Sequence, residues 1–561
     1  MSVVATGVGG SIDTGGAALG HPHTVVRETA ADRRAQPMTR EVAMAAADTF
    51  GVCRRPLAMR VQEADGSERI IGSPCKSTVA SVCPACARRA WSLRFQQCRE
   101  GWHAETEPVD EKREPTPVQV ELLTARADLT EQYRRDVEAG DGEAAAVVRD
   151  IVAQLDTDLR ASGVRGRLPA LDAAPKLRAT RSTRRRQDTP NLPRRKVART
   201  TVGGVHAGRR YSMFVTLTLP SYGPVRSDGS PWHVEGYDYR RAARDIVFFA
   251  ALFDRWIQNL RRAVGYDVQY FATVEPQRRG APHIHVALRT SIPRKVLRMV
   301  TEATYRQIWW PHFDHPAYDD DHMPVWDYQR GTFVDPDTGE PLPDWEQAQE
   351  VLDSVDELEP AHVIRFGAQM DIKGIPAGSE EANRHIGYLT KYLVKSIGEV
   401  LEATSMRAAE HYRRLHEELQ TVPCSPRCPV WLRYGIVPQG VTERTVPGRC
   451  KGKAHRRETL GLRGQRVLVS RRWSGKTLPD HQADRTEFVR QVLAAAGIAK
   501  TDPRTAVITP VRPGDPGVPP REHLILAALA QRSAWRSEYR DALEALGPPG
   551  GHDISATPTA A

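Results

Sequence analysis

The stretch Asp267–Arg289, DVQYFATVEPQRRGAPHIHVALR, decides the fold that we expect for this chain. Two runs rich in β-branched, aromatic and aliphatic residues, Asp267–Glu275 and His283–Arg289, flank the linker QRRGAP, which contains Gly and Pro. This pattern predicts two strands joined by a hairpin-like connection. Because successive side chains of a strand point to opposite faces, His283 and His285 should share one face while Ile284 and Val286 face the core.

The segments around this hairpin predict the rest of one domain. The expected elements are a half-buried strand at Tyr211–Leu219, helices at Asp245–Val264, Arg294–Ile308 and Arg384–Glu402, and a strand at His362–Ile375. Strands and helices in this order describe an α+β domain around a mostly antiparallel sheet. Residues 311–360 interrupt it as an acidic, Pro/Asp-rich insertion without a clear period.

Length and charge restrict the class of protein. The 561 residues suffice for three or four domains of about 150 residues each, and the net charge of +10 favours an acidic partner, nucleic acid first. The uninterrupted apolar stretch Ile246–Phe253 is far shorter than the roughly 18–20 residues that a membrane span needs. The N-terminal sequence shows no secretory signal, so we expect a cytoplasmic protein without a membrane partner.

Seven of the eight cysteines fall into two sets, and Cys98 is left over. Each set offers four ligands, which closes the coordination of a structural Zn²⁺, although ordinary buried thiols stay open as the alternative. Arg and Lys residues crowd the second set from Arg444 to Arg472, which makes it a candidate for DNA contacts as well. The first set is Cys53, Cys75, Cys83 and Cys86, and the second is Cys424, Cys428, Cys450 and His455.

A third candidate metal site lies in the hairpin itself. His283 and His285 can share one divalent ion, and Glu275, at the end of the preceding strand, can lie beside them as an oxygen ligand. Two imidazoles and one carboxylate leave open positions for water and phosphate, as a catalytic ion requires. Two histidines at this spacing are also often incidental, and the assignment of Glu275 rests on its position alone.

The sequence YLTKYLVK, residues 388–395, carries a second chemical signal. On a helix, Tyr388 and Tyr392 share one face, and so do Lys391 and Lys395. A tyrosine pair at this spacing is typical of core packing, but the two interleaved lysines argue against a dry core. A phenolate attacks phosphorus when a cation lowers its pKa or stabilises the leaving charge.

Taken in order, FVTLTLP, PHIHV and YLTKYLVK resemble the three motifs of HUH endonucleases. The chain resembles more closely the rolling-circle replication initiators of actinobacterial plasmids and integrative elements, over residues from about 190 to 480. The resemblance implies a ferredoxin/RRM-like sheet domain flanked by small zinc-binding modules and helical segments. It also implies that His283 and His285 bind Mg²⁺ or Mn²⁺, that Tyr392 with Lys395 forms the nucleophile motif, and that Tyr388 with Lys391 duplicates it.

The function implied by this resemblance is nicking of one strand at a plasmid origin through a tyrosine–DNA intermediate, with origin DNA, a host helicase and a DNA polymerase as partners. No nucleotide cofactor is expected: Gly475-Lys476-Thr477 hints at a phosphate loop, but Ser470 replaces its first glycine. A relaxase or transposase with the same chemistry stays open as an alternative. So does a non-catalytic, zinc-containing DNA-binding regulator.

The expected domain boundaries follow from shifts in composition. They are a disordered N-terminus at 1–45, a four-cysteine zinc module at 46–104, an acidic helical insert at 105–175, a basic linker or DNA arm at 176–210, the HUH endonuclease domain at 211–402, a basic zinc module with three cysteines and one histidine at 403–480, a helical segment at 481–546 and a disordered tail at 547–561.

Overall fold

A computed structural model describes residues 38–62, 66–108, 115–164, 168–171, 195–197, 205–206, 209–354, 359–391, 393–395, 397–462, 466–498 and 507–546. The helices are α1 (Met38–Thr49), α2 (Pro84–Trp102), α3 (Pro117–Glu138), α4 (Gly142–Ala161), α5 (Tyr239–Val264), α6 (Arg294–Ala303), α7 (Trp345–Ser354), α8 (Glu380–Lys391), α9 (Ile397–Val400), α10 (Met406–Thr421), α11 (Leu478–Ala495) and α12 (Arg521–Leu546). The strands are β1 (Leu57–Gln62), β2 (Glu68–Ser73), β3 (Val205–His206), β4 (Arg209–Thr218), β5 (Tyr270–Pro276), β6 (Pro282–Leu288), β7 (Tyr305–Ile308), β8 (Val325–Asp327), β9 (Thr332–Val334), β10 (His362–Arg365), β11 (Met370–Pro376), β12 (Val467–Val469) and β13 (Val507–Pro510).

The chain divides into two compact units. The first unit combines Met1–Cys75, Cys83–Cys86 and Val492–Ala561. Its antiparallel sheet has the order β13-β1-β2, and α1 and α12 bury a small apolar cluster that includes Ala43, Ala47 and Ile525. Residues 38–45, which we expected to be disordered, belong to α1. The N-terminal cysteine region and the C-terminal helical segment therefore form one folded unit.

The second unit, which comprises Lys76–Val82 and Ala87–Gln491, contains the predicted sheet domain. Its main sheet has the antiparallel order β11-β4-β6-β5-β12, and β3 pairs with β4. The prediction of an α+β fold with an antiparallel sheet is confirmed. The long helix α5 covers one face, because its apolar residues recur at alternating spacings of three and four. The buried residues of this stripe are Ile246, Phe249, Phe253, Trp256 and Leu260.

The alternation of side chains along the strands separates the two faces of this sheet. Ile284 and Val286 belong to the large apolar cluster on the α5 side, as predicted. On the opposite face, Phe214 and Ala287 pack with Ile386 and Leu389 of α8. The two histidines of β6 occupy alternate positions to Ile284 and Val286, so they lie on the α8 side.

Three predicted elements differ from the structure. The helix expected at Arg294–Ile308 ends at Ala303, because Thr304 is extended and β7 pairs with β10. The strand expected at His362–Ile375 is two strands, of which β10 pairs with β7 and β11 with β4. The helix expected at Arg384–Glu402 ends at Lys391 and is followed by the short α9. In two of these cases a strand partner distant in sequence overrides the local pattern.

The acidic insertion and the acidic helical region are both ordered where they are described. Within 311–360, β8 and β9 form a hairpin whose Phe333 is buried against Leu432 and Val437, close in sequence to the second cysteine set. The two helices predicted in 105–175 are α3 and α4, joined by an ion pair of 2.5 Å between Arg126 and Asp156. Of the basic segment 176–210, the described residues are 195–197, 205–206 and 209–210, and the predicted tail 547–561 lies outside the described residues.

No helix in the described part of the chain combines the length and apolar character needed to span a bilayer.

Candidate active site and metal centres

Three neighbouring strands place the candidate catalytic ligands on one face of the main sheet. In the register of β5 with β6, Glu275 lies opposite His283 and Thr273 opposite His285. In the register of β4 with β6, Thr218 lies opposite His283 and Thr216 opposite His285. Directly opposed residues of antiparallel strands have their Cβ atoms about 4.5–5.5 Å apart. The hairpin geometry therefore brings Glu275 to the two histidines, as the sequence predicted.

The ligand atoms of Glu275, His283 and His285 converge on one point. The two Nε2 atoms are 2.8 Å apart, and Glu275 Oε2 lies 4.0 Å from His283 Nε2 and 3.8 Å from His285 Nε2. All three ligand atoms lie within 4.8 Å of one another, close enough for one ion to lie between them. Glu275 Oε1 is buried and has no hydrogen-bond partner among the described residues. The trio thus fits a divalent cation.

Burial controls the charge of these three groups. It lowers the pKa of His283 to about 4 and that of His285 to about 3, and nearby positive charge, from Arg279 and from His283 respectively, acts in the same direction. Both imidazoles are therefore neutral at pH 7, which is the form that binds metal. Burial raises the pKa of Glu275 to about 7, although Arg466 and Lys391 oppose that shift.

One hydroxyl orients His285. Thr216 Oγ1 lies 2.9 Å from His285 Nδ1, which leaves Nε2 directed at the candidate ion, as is usual for metal-binding histidines. Thr218, two residues further along β4, donates instead to the carbonyl of Gln369 at 3.0 Å. The sequence predicts Thr216 only as a residue of a strand. Its role follows from its position opposite His285 in the register of β4 with β6.

Helix α8 brings Tyr388 to the same place. The Tyr388 hydroxyl lies 3.2 Å from His285 Nε2, and the two rings meet edge to face with centroids 5.0 Å apart. Ile386 and Leu389 on the same helix are buried against the sheet, whereas Tyr388 is 42 % exposed. The tyrosine is therefore held beside the metal set and remains accessible from solvent.

The other members of the tyrosine–lysine motif occupy different positions. Lys391 is the last residue of α8, and its charge acts on Glu275. Lys395 lies beyond the helix, so the two lysines do not share one helical face. The backbone carbonyl of Lys395 accepts a hydrogen bond of 2.5 Å from Arg466, a residue that sequence reasoning missed. Tyr392, the predicted nucleophile, lies outside the described residues.

An open cleft of about 390 Å³ adjoins Tyr388 and His285. Its wall includes the aromatic rings of Phe214 and His385, the cationic side chain of Arg384, and Lys373, which pairs with Asp371 of the same wall at 3.5 Å. The phosphate and base of a nucleotide match these two kinds of group. The cleft therefore gives access to the tyrosine from solvent.

The first cysteine set forms a compact four-thiol group. Its ligand atoms all lie within 4.8 Å of one another, and Cys53 Sγ is 3.8 Å from Cys83 Sγ. Tetrahedral bonds of about 2.3 Å to one ion separate two sulfurs by about 3.8 Å. The backbone N–H of Cys75 donates to Cys53 Sγ at 3.3 Å. This four-thiol group is consistent with a structural zinc site in the first unit.

The second cysteine set forms a similarly compact group, in which the fourth ligand is the imidazole of His455. Cys424 Sγ and Cys450 Sγ are 4.0 Å apart, and Cys428 Sγ is 3.5 Å from His455 Nε2. A tetrahedral zinc requires about 3.8 Å and 3.6 Å for these two pairs. A Cβ atom on Gly452 would lie 3.1 Å from Cys450 Sγ, so glycine allows the loop to pass close to the sulfur. This three-thiol, one-imidazole group is consistent with a second structural zinc site.

The model of one protein family, described as the replication initiator protein of pSAM2 (RepSA), matches residues 39–531. The chain belongs to the RepSA family. The match covers most of the chain and includes both cysteine sets, the Glu275–His283–His285 trio and the tyrosine motif. No curated protein and no solved structure gives a match.

RepSA membership agrees with the plasmid initiator implied by the sequence, pSAM2 being an actinobacterial plasmid. The structure of this RepSA chain brings together eleven predicted metal ligands in three groups and adds Tyr388 to one of them.

Proposed function

We propose that this replication initiator binds origin DNA and nicks one strand through a covalent tyrosine–DNA intermediate. The observation that carries the proposal is the distance of 3.2 Å between the Tyr388 hydroxyl and Nε2 of His285. A nucleophile and a metal set in contact form the arrangement needed for transfer of a phosphoryl group to a side chain.

His283, His285 and Glu275 would hold a divalent cation, and the choice of Mg²⁺ or Mn²⁺ follows from the family resemblance. A bound cation would polarise the scissile phosphate and stabilise its developing charge. Glu275 Oε1 is buried and has no hydrogen-bond partner among the described residues, so this carboxylate oxygen is left for an ion to bind. By accepting a hydrogen bond from Nδ1–H, the Thr216 hydroxyl would keep His285 in the tautomer whose Nε2 is free to bind an ion.

Tyr388 would attack the phosphate that enters the adjoining cleft. The bond from the phenolic oxygen to phosphorus forms as the bond from phosphorus to the 3′ oxygen breaks. The phenolic proton is lost and the 3′ oxygen gains a proton, so a 5′-phosphotyrosyl link and a free 3′-hydroxyl result. The positive charges of Lys391 and Lys395 would stabilise the additional negative charge of the transition state.

The family resemblance takes Tyr392 as the nucleophile and Tyr388 as its duplicate, whereas the position of Tyr388 beside His285 supports Tyr388 for the first cleavage. Tyr392 would then serve the second cleavage, which ends a round of replication while Tyr388 still holds the first DNA end. Since the tyrosyl ester conserves the energy of the phosphodiester bond, rejoining needs no nucleotide. A host polymerase would extend the 3′-hydroxyl, and a host helicase would separate the strands.

The experiment that tests this function is the capture of a covalent adduct. Full-length protein is incubated with single-stranded DNA from the origin and Mn²⁺, and species that resist denaturation are separated by size. We expect an adduct that is abolished in His283→Ala and His285→Ala and retained in the control His322→Ala, whose exposed ring pairs with Asp337. A non-catalytic, zinc-containing DNA-binding regulator would form no adduct under any of these conditions, and that result would refute the proposal.

A further inference from the structure

The loops around the second cysteine set carry a concentration of positive charge. The segment from Arg444 to Arg457 contains six Lys or Arg residues and no Asp or Glu. Arg427 lies between two further ligands, Cys424 and Cys428. All seven side chains are exposed, and we call them the knuckle cations: Arg427, Arg444, Arg449, Lys451, Lys453, Arg456 and Arg457.

In the part of the chain that the structure describes, most of the knuckle cations have no carboxylate partner, unlike several other surface cations of the same unit. Among the described residues, Arg444 is the one knuckle cation with a carboxylate within 4.0 Å, namely Glu443 at 3.9 Å. On α10, by contrast, Arg414 pairs with Glu410 at 2.9 Å, and Lys476 pairs with Asp484 at 2.8 Å. Exposed charges without internal partners remain available to an external anion.

The backbone beneath these cations is held in place. The N–H of Gly452 donates to Cys450 Sγ at 3.3 Å, and the N–H of His455 donates to the carbonyl of Gly452 at 3.0 Å. Arg456 reaches back to the carbonyl of Lys451. Lys451 and Lys453 therefore project from a loop that is closed by the metal ligands Cys450 and His455, and binding an anion there costs little ordering entropy.

The chemistry of this surface matches a DNA backbone rather than exposed bases. The aromatic residues Trp431 and Tyr434 of the same segment turn inward: Trp431 is fully buried, and the Tyr434 hydroxyl donates to the carbonyl of Thr421 at 2.7 Å. Binding of single strands relies on exposed aromatic rings that stack on bases. Cations without such rings contact phosphates, which is the sequence-independent part of duplex binding.

Helix α10 connects this surface to the catalytic hairpin. His411 Nε2 lies 3.0 Å from the carbonyl of Arg279, in the turn between β5 and β6. Further along the helix, His416 and Gln420 bond the carbonyl of His455 at 3.0 and 2.7 Å. From residue 411 to residue 420 a helix rises about 14 Å, which equals about four base pairs of duplex.

We propose that the knuckle cations form a phosphate-binding surface that anchors duplex DNA beside the nick site. The partner is double-stranded DNA bound through its sugar–phosphate backbone, and α10 keeps that duplex at a defined distance from the hairpin that carries the metal trio. The inference rests on the proposed function in that it assigns to this surface the duplex that flanks the cleaved strand.

The test compares two triple variants of the full-length protein that remove the same charge. Lys451→Ala/Lys453→Ala/Arg457→Ala removes three knuckle cations, and the control Arg413→Ala/Arg414→Ala/Lys476→Ala removes three cations that are paired with carboxylates. Fluorescence anisotropy measures binding of a mixed-sequence duplex of about 30 base pairs and of a single-stranded oligo-dT of the same length, without added divalent ion, over a series of salt concentrations. The zinc content and melting temperature of each variant are measured in parallel.

Each lost phosphate contact reduces the slope of log K against log salt by about 0.9. We therefore expect the knuckle variant to lose about 2.7 from the slope and two to three orders of magnitude in duplex affinity at about 0.1 M salt. The control should keep the wild-type slope, and the knuckle variant should lose less slope on oligo-dT than on the duplex, because a phosphate contact to a single strand contributes only about 0.7. The Gln versions of the three knuckle substitutions keep the side-chain stems and should reproduce the loss, so a folding defect of the Ala variant does not decide the test.

An unchanged slope in the knuckle variants, or an equal loss in the control, would overturn the proposal. This outcome is distinct from failure of the nicking function, because the anisotropy assay involves no cleavage. A protein that forms no covalent adduct yet shows the expected slopes would refute the nicking proposal and leave the duplex surface standing.

Discussion

Replacing Thr216 with Val should weaken metal binding without disturbing the sheet. Valine has nearly the shape of threonine and the same preference for strands, so the substitution removes the hydrogen bond of 2.9 Å to His285 Nδ1 and little else. Loss of the partner that orients a metal-binding histidine typically reduces metal affinity about 10–100-fold. This range corresponds to about 1.4–2.7 kcal/mol of binding free energy.

Thr218→Val provides the matched control. It makes the same chemical change two residues along the same strand, opposite His283, but the Thr218 hydroxyl bonds the carbonyl of Gln369 rather than an imidazole. Calorimetric titration of each full-length variant with Mn²⁺ measures the affinity, since a hard ion does not displace zinc from thiolates. Equal affinities for both variants, or a wild-type affinity for Thr216→Val, would refute the orienting role of Thr216.

Three further predictions concern metal content, backbone strain and pH. Purified protein should contain about two zinc ions, and Cys83→Ser or Cys428→Ser should each remove one and lower the melting temperature; metal analysis showing none in folded wild type would contradict both sites. Gly280→Ala should destabilise the fold by more than about 1–2 kcal/mol in urea unfolding, because the φ of Gly280 is +79° and the new Cβ would lie 2.6 Å from the Leu415 side chain. In the control Gly339→Ala, φ is +68° and, beyond the chain neighbours, no atom of the described residues lies within 4 Å of the new Cβ, so this variant measures the cost of the positive φ alone. Burial lowers the pKa of His411, although its hydrogen bond to the carbonyl of Arg279 acts in the opposite direction. The folded chain therefore binds fewer protons than the unfolded chain and should lose stability as the pH falls below about 6.5. His411→Gln should lose less stability than the wild type between about pH 7.5 and 5.5, and an identical loss would exclude His411 as the source.

The part of the site that can be predicted from the sequence depends on the alternation of side chains along neighbouring strands. The spacing of His283 and His285 places both on one face of a strand, and a hairpin of the observed length sets Glu275 opposite His283. These relations follow from strand geometry and need no knowledge of distant residues. Thr216 could have been found in the same way once β4 was assigned next to β6, but the order of strands in a sheet is not a local property.

The features that the sequence does not predict depend on contacts between distant segments. Strand β13 completes the sheet of β1 and β2 although it lies near the other end of the chain. Likewise β7 forms at the end of a segment with a helical pattern because β10 pairs with it. The early end of α8 at Lys391 separates Lys391 from Lys395, which a continuous helix would have placed on one face. In each case a contact between distant segments, or the end of a helix, overrides the local pattern.

The most direct test of the account is to identify the residue that carries the DNA. Wild-type protein is trapped on single-stranded origin DNA with Mn²⁺, digested with a protease, and the DNA-linked peptide is sequenced by mass spectrometry, in parallel with Tyr388→Phe and Tyr392→Phe. Because the Tyr388 hydroxyl lies 3.2 Å from His285 Nε2, the account predicts DNA on Tyr388 in the first cleavage, its loss in Tyr388→Phe, and its persistence in Tyr392→Phe. Attachment to Tyr392 alone, or an adduct that forms equally well in His283→Ala, would contradict it.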